Sequence, residues 1–382
     1  MAFVILLSAC GISAPPKSSS TSPEQTSSQP TNIASAYSTL TTLEPYSNLR
    51  YLDFVNGSRQ RYELNEYNSE EIYTYTFNQD TILEGNAALQ SQILEEGKNP
   101  GLGIIELHNQ GITGKNVNVA IIDQPMLTDH PEFAGKITSY YDTGCETDTN
   151  SGSMHGPAVT SILAGTTTGV APDVKVWFAA VPSWKADSKY YADALNWIVS
   201  ENQKLPEDEK IRLVSVSAAP SGEGSPFTEN LQMWDDAVKA AQEMNILVLD
   251  CRTNENTGFI FPCFFDPTDR ENVSLCSGGF PTAPNPLPDY LHYICAPCAY
   301  RTMAEEYTAD KPSYQYWGQG GLSWSIPYCA GVLALGWQVR PDLSPEEIIR
   351  ILFETAASGK DSSRIIDPPS FIKAVRNFTP ST

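Results

Sequence analysis

The strongest constraint on this chain is a change of pattern near residue 100. Downstream of it, short apolar stretches alternate with stretches of helical spacing. Val117-Asn118-Val119-Ala120-Ile121-Ile122 is apolar almost throughout, as a strand covered on both faces requires. Residues 155–165 have helical spacing, 174–180 read as a strand, 190–200 as a helix and 211–217 as a strand. A helix is predicted over 229–244, with Thr228 as its cap, and a strand over 246–249. Two further helices are predicted over 325–338 and 344–356. The second opens with Ser344-Pro345-Glu346-Glu347: a capping hydroxyl, a proline in the first turn and two acids facing the helix dipole. Alternation of this kind builds an α/β fold with a mostly parallel sheet and helices on both faces. There is no internal repeat.

Upstream the pattern is different. Residues 2–9 are apolar and end at Cys10. Leu7-Ser8-Ala9-Cys10 resembles the lipobox of bacterial lipoproteins, which implies a diacylated Cys10 as mature N-terminus. Residues 2–9 hold no Lys or Arg, so part of the signal is expected upstream. Residues 11–42 are dominated by Ser, Thr and Pro, a composition that serves as a tether and not as a core. The extension at 43–99 contains Ile72-Tyr73-Thr74-Tyr75-Thr76-Phe77, whose alternation predicts a short strand or hairpin. It is either a small inhibitory segment or a β patch packed on the main domain, and nothing in it chooses. No apolar run reaches the roughly 18 residues of a membrane-spanning helix. With 24 Lys+Arg against 45 Asp+Glu, the net charge of −21 excludes nucleic-acid binding through the phosphate backbone.

Four histidines, His108, His130, His155 and His292, limit the choice of a general base. His155 opens a helix, in Ser153-Met154-His155-Gly156-Pro157-Ala158. Asp123 ends the strand 117–122, and functional groups of an open parallel sheet gather at the carboxyl ends of its strands. Ser323 lies in Gly320-Gly321-Leu322-Ser323-Trp324-Ser325-Ile326-Pro327, a Gly-rich turn entering a helix, where backbone N–H groups and the dipole favour an oxyanion.

The chain order Asp123, His155, Ser323 is the subtilisin order of the Ser-His-Asp triad. The surroundings resemble the subtilase family too. Val119 to Asp123 with His130-Pro131-Glu132-Phe133, His155-Gly156 through Gly165, Gly169-Val170-Ala171-Pro172, Gly321-Leu322-Ser323 through Gly331, and Ile246 through Asn254 all have counterparts there. The likeness covers about residues 100–376, including the closing helices from Pro341 to Val375. It implies a subtilisin-like three-layer fold and a serine endopeptidase acting on protein or peptide substrates. Ser323 would attack the scissile carbonyl, His155 would carry the proton, and Asp123 would orient His155. Asn254 and the Ser323 N–H would form the oxyanion hole. Ser217-Ala218-Ala219 would pair with extended substrate. The expected localisation is the bacterial cell envelope, outside the cytoplasm, on a lipid anchor in the membrane. The domain reading is 1–10 signal, 11–42 linker, 43–99 extension and 100–376 peptidase.

There are departures from the family pattern. Gln124-Pro125 follow the aspartate, Pro157 stands where Thr is usual, Leu322 precedes the serine and Trp324 follows it, and Thr253 precedes Asn254. They support the alternative of a catalytically degenerate module that binds peptides or assembles a surface complex. An esterase has no support, because the Gly-x-Ser-x-Gly elbow is absent. Besides Cys10 there are seven cysteines. In an oxidising compartment a disulfide is expected involving the 251–298 insert, which is expected to shape the substrate cleft; Cys329 is expected to stay a buried thiol. Cys295-Ala296-Pro297-Cys298 lacks the partners of a zinc site. Arg252 either lines the first specificity pocket or is a surface charge. The chemistry requires no cofactor. The resemblance allows structural calcium, but no metal ligand can be named.

Overall fold

The computed structural model describes residues 37–40, 44–50, 59–63, 69–146, 152–252, 258–284, 292–306 and 311–379. The signal, Cys10 and most of the tether lie outside them. In the extension, β1 (Tyr37–Leu40), β2 (Arg59–Glu63), β3 (Phe77–Asn78) and β4 (Ile82–Glu84) precede α1 (Ala87–Glu96) and α2 (Ile104–Asn109). The predicted strand over 72–77 is not what forms. Residues Ser69–Thr74 make a 3-10 turn, which puts Ile72 and Tyr75 inward at a spacing of three; only Phe77 continues as strand.

The central sheet contains β5 (Asn118–Asp123), β6 (Ile137–Asp142), β7 (Lys175–Ala180), β8 (Ile211–Val216) and β9 (Leu247–Leu249) in the order β6-β7-β5-β8-β9, all parallel. Alternate side chains of β5 serve two cores. Val119 and Ile121 join one cluster, with α3 (His155–Ala164). Ala120 and Ile122 join the other, with α4 (Lys189–Lys204) and α5 (Leu231–Glu243). The expected layers are therefore present. Thr228 is not the cap of α5: its N–H bonds to the Ala186 carbonyl, and Asn230 occupies the cap position. β6 was not legible, because as an edge strand it alternates between half-buried and exposed residues.

The 251–298 insert builds a second sheet with β10 (Phe259–Phe264), β11 (Ser277–Phe280), β12 (Ala283–Pro284) and β13 (Tyr293–Pro297). Pro262 and Pro297 within its strands hid it from sequence reading. A hairpin of β14 (Arg301–Glu305) and β15 (Ser313–Trp317) follows, with β3 as its third strand. Then come α6 (Leu322–Val339), α7 (Pro345–Glu354), β16 (Ala357–Ser358), β17 (Arg364–Ile365) and α8 (Pro368–Asn377). The cap of α7 forms as read: Ser344 Oγ accepts from Glu347 N at 3.2 Å, and the Glu347 carboxylate accepts from Ser344 N at 2.9 Å.

The expected disulfide does not form; all seven described cysteines are thiols. The register explains it. Cys263 stands opposite Gly278 and Pro297, and Cys295 opposite Phe261, so no two cysteines share a rung of the sheet. Cys329 is a buried thiol inside α6.

Candidate active site

The chain runs from β5 to β7 on one side and then crosses to β8 and β9 on the other. The strand order therefore reverses between β5 and β8, and in open parallel sheets ligands bind outside the carboxyl ends of the strands at such a point. Asp123 ends β5 and Ser217 follows β8. α3 starts beside them with His155, whose Nδ1 lies 2.6 Å from Asp123 Oδ1. Both side chains are buried, at 9% and 4% exposure, so solvent screens the contact little. Asp123 Oδ1 also accepts from the Gln124 N–H at 2.8 Å. Nearby Tyr191 is fully buried. Burial first, and the charge of Asp123 second, push its phenol well above the ordinary range and keep it neutral.

The other histidines are occupied elsewhere. His108 Nε2 meets the Val170 carbonyl and His130 Nε2 the Ser313 carbonyl, both at 2.9 Å; burial lowers both pKa values. His292 stacks on Phe353.

Local sequence explains the pose of His155. The 124–126 loop passes so close to α3 that a Cβ on Gly156 would meet the Gln124 carbonyl oxygen at 2.3 Å; only glycine fits. Pro157 falls in the first helical turn, where its missing N–H breaks no intrahelical bond. Ser153 Oγ accepts from Gly156 N at 3.1 Å in place of a regular cap. Gln124, a departure from the family pattern, donates to Ser183 Oγ at 2.8 Å.

Ser323 is the second residue of α6, half-buried and at the positive end of the helix. Its Oγ lies 3.4 Å from the Ser217 carbonyl, and Ser217 Oγ donates to the Ser323 carbonyl at 2.8 Å. Pro327 makes this clasp available. Four residues after Ser323, it has no N–H to donate back to the Ser323 carbonyl, so that oxygen is left for Ser217. The structure thus brings Asp123, His155, Ser217 and Ser323 to one end of the sheet.

In the segment after β8, the Ala218 carbonyl accepts from Cys251 N at 2.9 Å and the Ala219 carbonyl from Ser225 Oγ at 2.6 Å. Arg252 is neither a free surface charge nor open to a ligand. Its guanidinium binds Asp250, Asp235 (2.6 Å) and Ser221 (2.8 Å), tying the segment after β9 to the segment after β8. Asn254 lies outside the described residues. From the end of the insert, the Cys298 carbonyl accepts from the Gly321 N–H at 3.2 Å and so braces the turn before Ser323. Among the described residues no group of three or more His, Cys, Asp or Glu is placed to hold a metal. Sequence reasoning missed Arg50 and Glu306, and saw Trp324 only as a departure; burial and packing, which single out these residues, leave no short motif.

Residues 114–277 match the family model described as the subtilase family. The match includes Asp123 and His155 and ends before Ser323. The serine protease AprX of Bacillus subtilis is 24% identical over 302 residues, 66% of this chain and 64% of that protein. The subtilisin-like protease PopC of Myxococcus xanthus is 22% identical over 281 residues, 66% of this chain and 58% of that one. The chain thus spans less than two thirds of the length of these relatives. Among solved structures, fervidolysin from Fervidobacterium pennivorans aligns with a TM-score of 0.53 at 14% identity, covering 74% of this chain and 47% of that one. A chain of the subtilase cytotoxin SubAB assembly aligns with a TM-score of 0.54 at 15% identity, covering 73% and 95%. Over residues 114–277 this chain is thus similar to the subtilase family, and the fold built around that segment is subtilisin-like.

Proposed function

We propose that this chain is a serine endopeptidase that hydrolyses peptide bonds through an acyl-enzyme on Ser323. The observation that carries the reading is the buried 2.6 Å contact between Asp123 and His155 at the end of the sheet that also receives Ser323. His155 takes the Ser323 proton as the oxygen attacks the carbonyl carbon, and returns it to the leaving amine. Asp123 holds the imidazole with Nδ1 protonated, so that Nε2 is the basic atom, and stabilises the imidazolium. Developing negative charge on the carbonyl oxygen meets the N-terminus of α6, with Asn254 as the side-chain donor. Extended substrate runs along Ser217-Ala218-Ala219, whose backbone supplies pairing with little side-chain selection. The substrate is protein or peptide, and no cofactor takes part in these steps. The lipobox at Leu7–Cys10 supports attachment to the bacterial envelope outside the cytoplasm.

A fluorophosphonate probe on the full chain tests the chemistry. A stoichiometric adduct in the intact mass, absent from Ser323→Ala, is expected. No adduct on a folded wild-type chain would leave the peptide-binding or assembly module as the better reading. The anchor is tested in cells: Cys10→Ser should abolish palmitate incorporation and release the protein from the membrane fraction. Unchanged incorporation would remove Cys10 as the lipidation site.

A further inference from the structure

Trp324 directly follows Ser323, at a position the protease reading gives no role. Its side chain is fully buried, and its indole lies against the His155 imidazole, with ring centroids 5.0 Å apart and planes tilted by 34°. The turn before the helix is shaped to receive it. Gly321 lies so close under the indole that a Cβ there would meet Trp324 Nε1 at 2.9 Å. Trp317 stands edge-on to Trp324, with centroids 5.2 Å apart, and its Nε1 donates to the Gly320 carbonyl at 3.0 Å. Behind Trp317, the Arg50 guanidinium lies 4.5 Å from the ring centroid. Arg50 belongs to the N-terminal segment and is itself pinned by Gln315 and Glu305. A continuous chain of contacts, Arg50–Trp317–Trp324–His155, thus runs from the extension to His155.

We infer that Trp324 is a positioning residue for His155, held in place from the N-terminal segment through Trp317 and Arg50. The inference rests on the protease reading above. The carboxylate at His155 Nδ1 fixes one end of the ring. A flat, buried indole along its face fixes the plane of the ring about that contact and keeps Nε2 directed toward Ser323. The same face is electron-rich and favours the imidazolium formed during attack. Gly321, with no Cβ under the indole, leaves the space that Trp324 fills.

The test uses the full chain and the fluorophosphonate probe, with the maximal inactivation rate and the probe's apparent affinity read separately. Trp324→Leu is expected to lower the maximal rate about tenfold or more, since small misplacements of a reacting group are costly. Its apparent affinity should stay within about twofold, as it does when only a transition-state interaction is lost. Trp324→Phe, which retains an aromatic face, should recover most of the rate, and Trp317→Leu should fall between. In histidine-labelled protein, the His155 ring protons should lose their ring-current shift in Trp324→Leu and keep it in Trp324→Phe. A folded Trp324→Leu protein with an unchanged rate, or with the whole effect in affinity, overturns the inference. Should Trp324→Leu fail to fold, Trp324→Met decides by the same criteria. A wild-type chain that takes no label overturns the protease reading itself, whereas a labelled wild type with an unimpaired Trp324 variant overturns only this inference.

Discussion

At the scale of single residues, the structure separates charges that are matched from one that is not. Glu132 is buried, yet Thr167, Thr168 and Tyr314 all donate to its carboxylate; these bonds outweigh burial and hold its pKa below the usual value. Glu306 is equally buried, at 1% exposure, but neither carboxyl oxygen has a hydrogen-bond partner among the described residues. Burial, with the charge of Asp129 second, raises its pKa to about 7. The unfolded value is near 4.5, so the folded chain holds this proton more tightly. The stability it contributes is full below about pH 4.5 and is lost as pH rises through 7. Glu306→Gln should therefore melt higher than wild type at pH 8, by on the order of 2 kcal/mol, and melt alike at pH 4.5. Thermal unfolding at the two pH values checks this. Equal melting at pH 8 would mean that the carboxylate is solvated or paired.

At the scale of elements, what the sequence makes legible follows from how local the signal is. β5, β7, β8 and β9 are mostly apolar and mostly buried on both sides, and a covered parallel strand carries its own evidence. The cap of α7 is equally local, since Ser344 and Glu347 satisfy each other within one turn. Asp123, His155 and Ser323 stand out in the sequence as candidates because each sits at an element boundary with a short motif around it. The second sheet was not: β10 and β13 contain proline and pair only with strands distant in sequence, so their pattern is a tertiary one. The 3-10 turn over 69–74 was misread because alternating Tyr and Thr favour a strand locally, while contacts with the hairpin decide otherwise. Pro327 shows a third kind of signal, visible but mute. A proline inside a helix usually costs stability. Here its meaning appears only once Ser217 is seen to use the carbonyl it leaves open.

At the scale of the whole molecule, the question is whether the N-terminal segment is separable from the subtilisin-like domain. An inhibitory segment would lie across the cleft and leave the fold behind it complete. The described part of this segment instead completes the fold. β3 pairs with β15 through Phe77–Tyr316 and Asn78–Gln315, and Gly318 packs against the Thr74 carbonyl oxygen with no room for a side chain. Arg50 and Glu305 form an ion pair at 3.4 Å with side chains 1% and 2% exposed; Asn78 Nδ2 donates to the same carboxylate at 2.9 Å. Such a pair adds little net stability when intact, because desolvation offsets the attraction, but removing one buried partner alone is costly. Arg50→Met should thus destabilise the chain by about 3–5 kcal/mol, and adding Glu305→Gln should recover a large part of that loss. Urea unfolding of the two variants and wild type measures both. A loss below about 1 kcal/mol for Arg50→Met would be the behaviour of an exposed pair and would make the segment a separable attachment. A large loss rescued by Glu305→Gln would mean that the described part of the segment and the β14–β15 pair leading to Ser323 fold as one unit, so that removing the segment would dismantle the candidate site instead of releasing it.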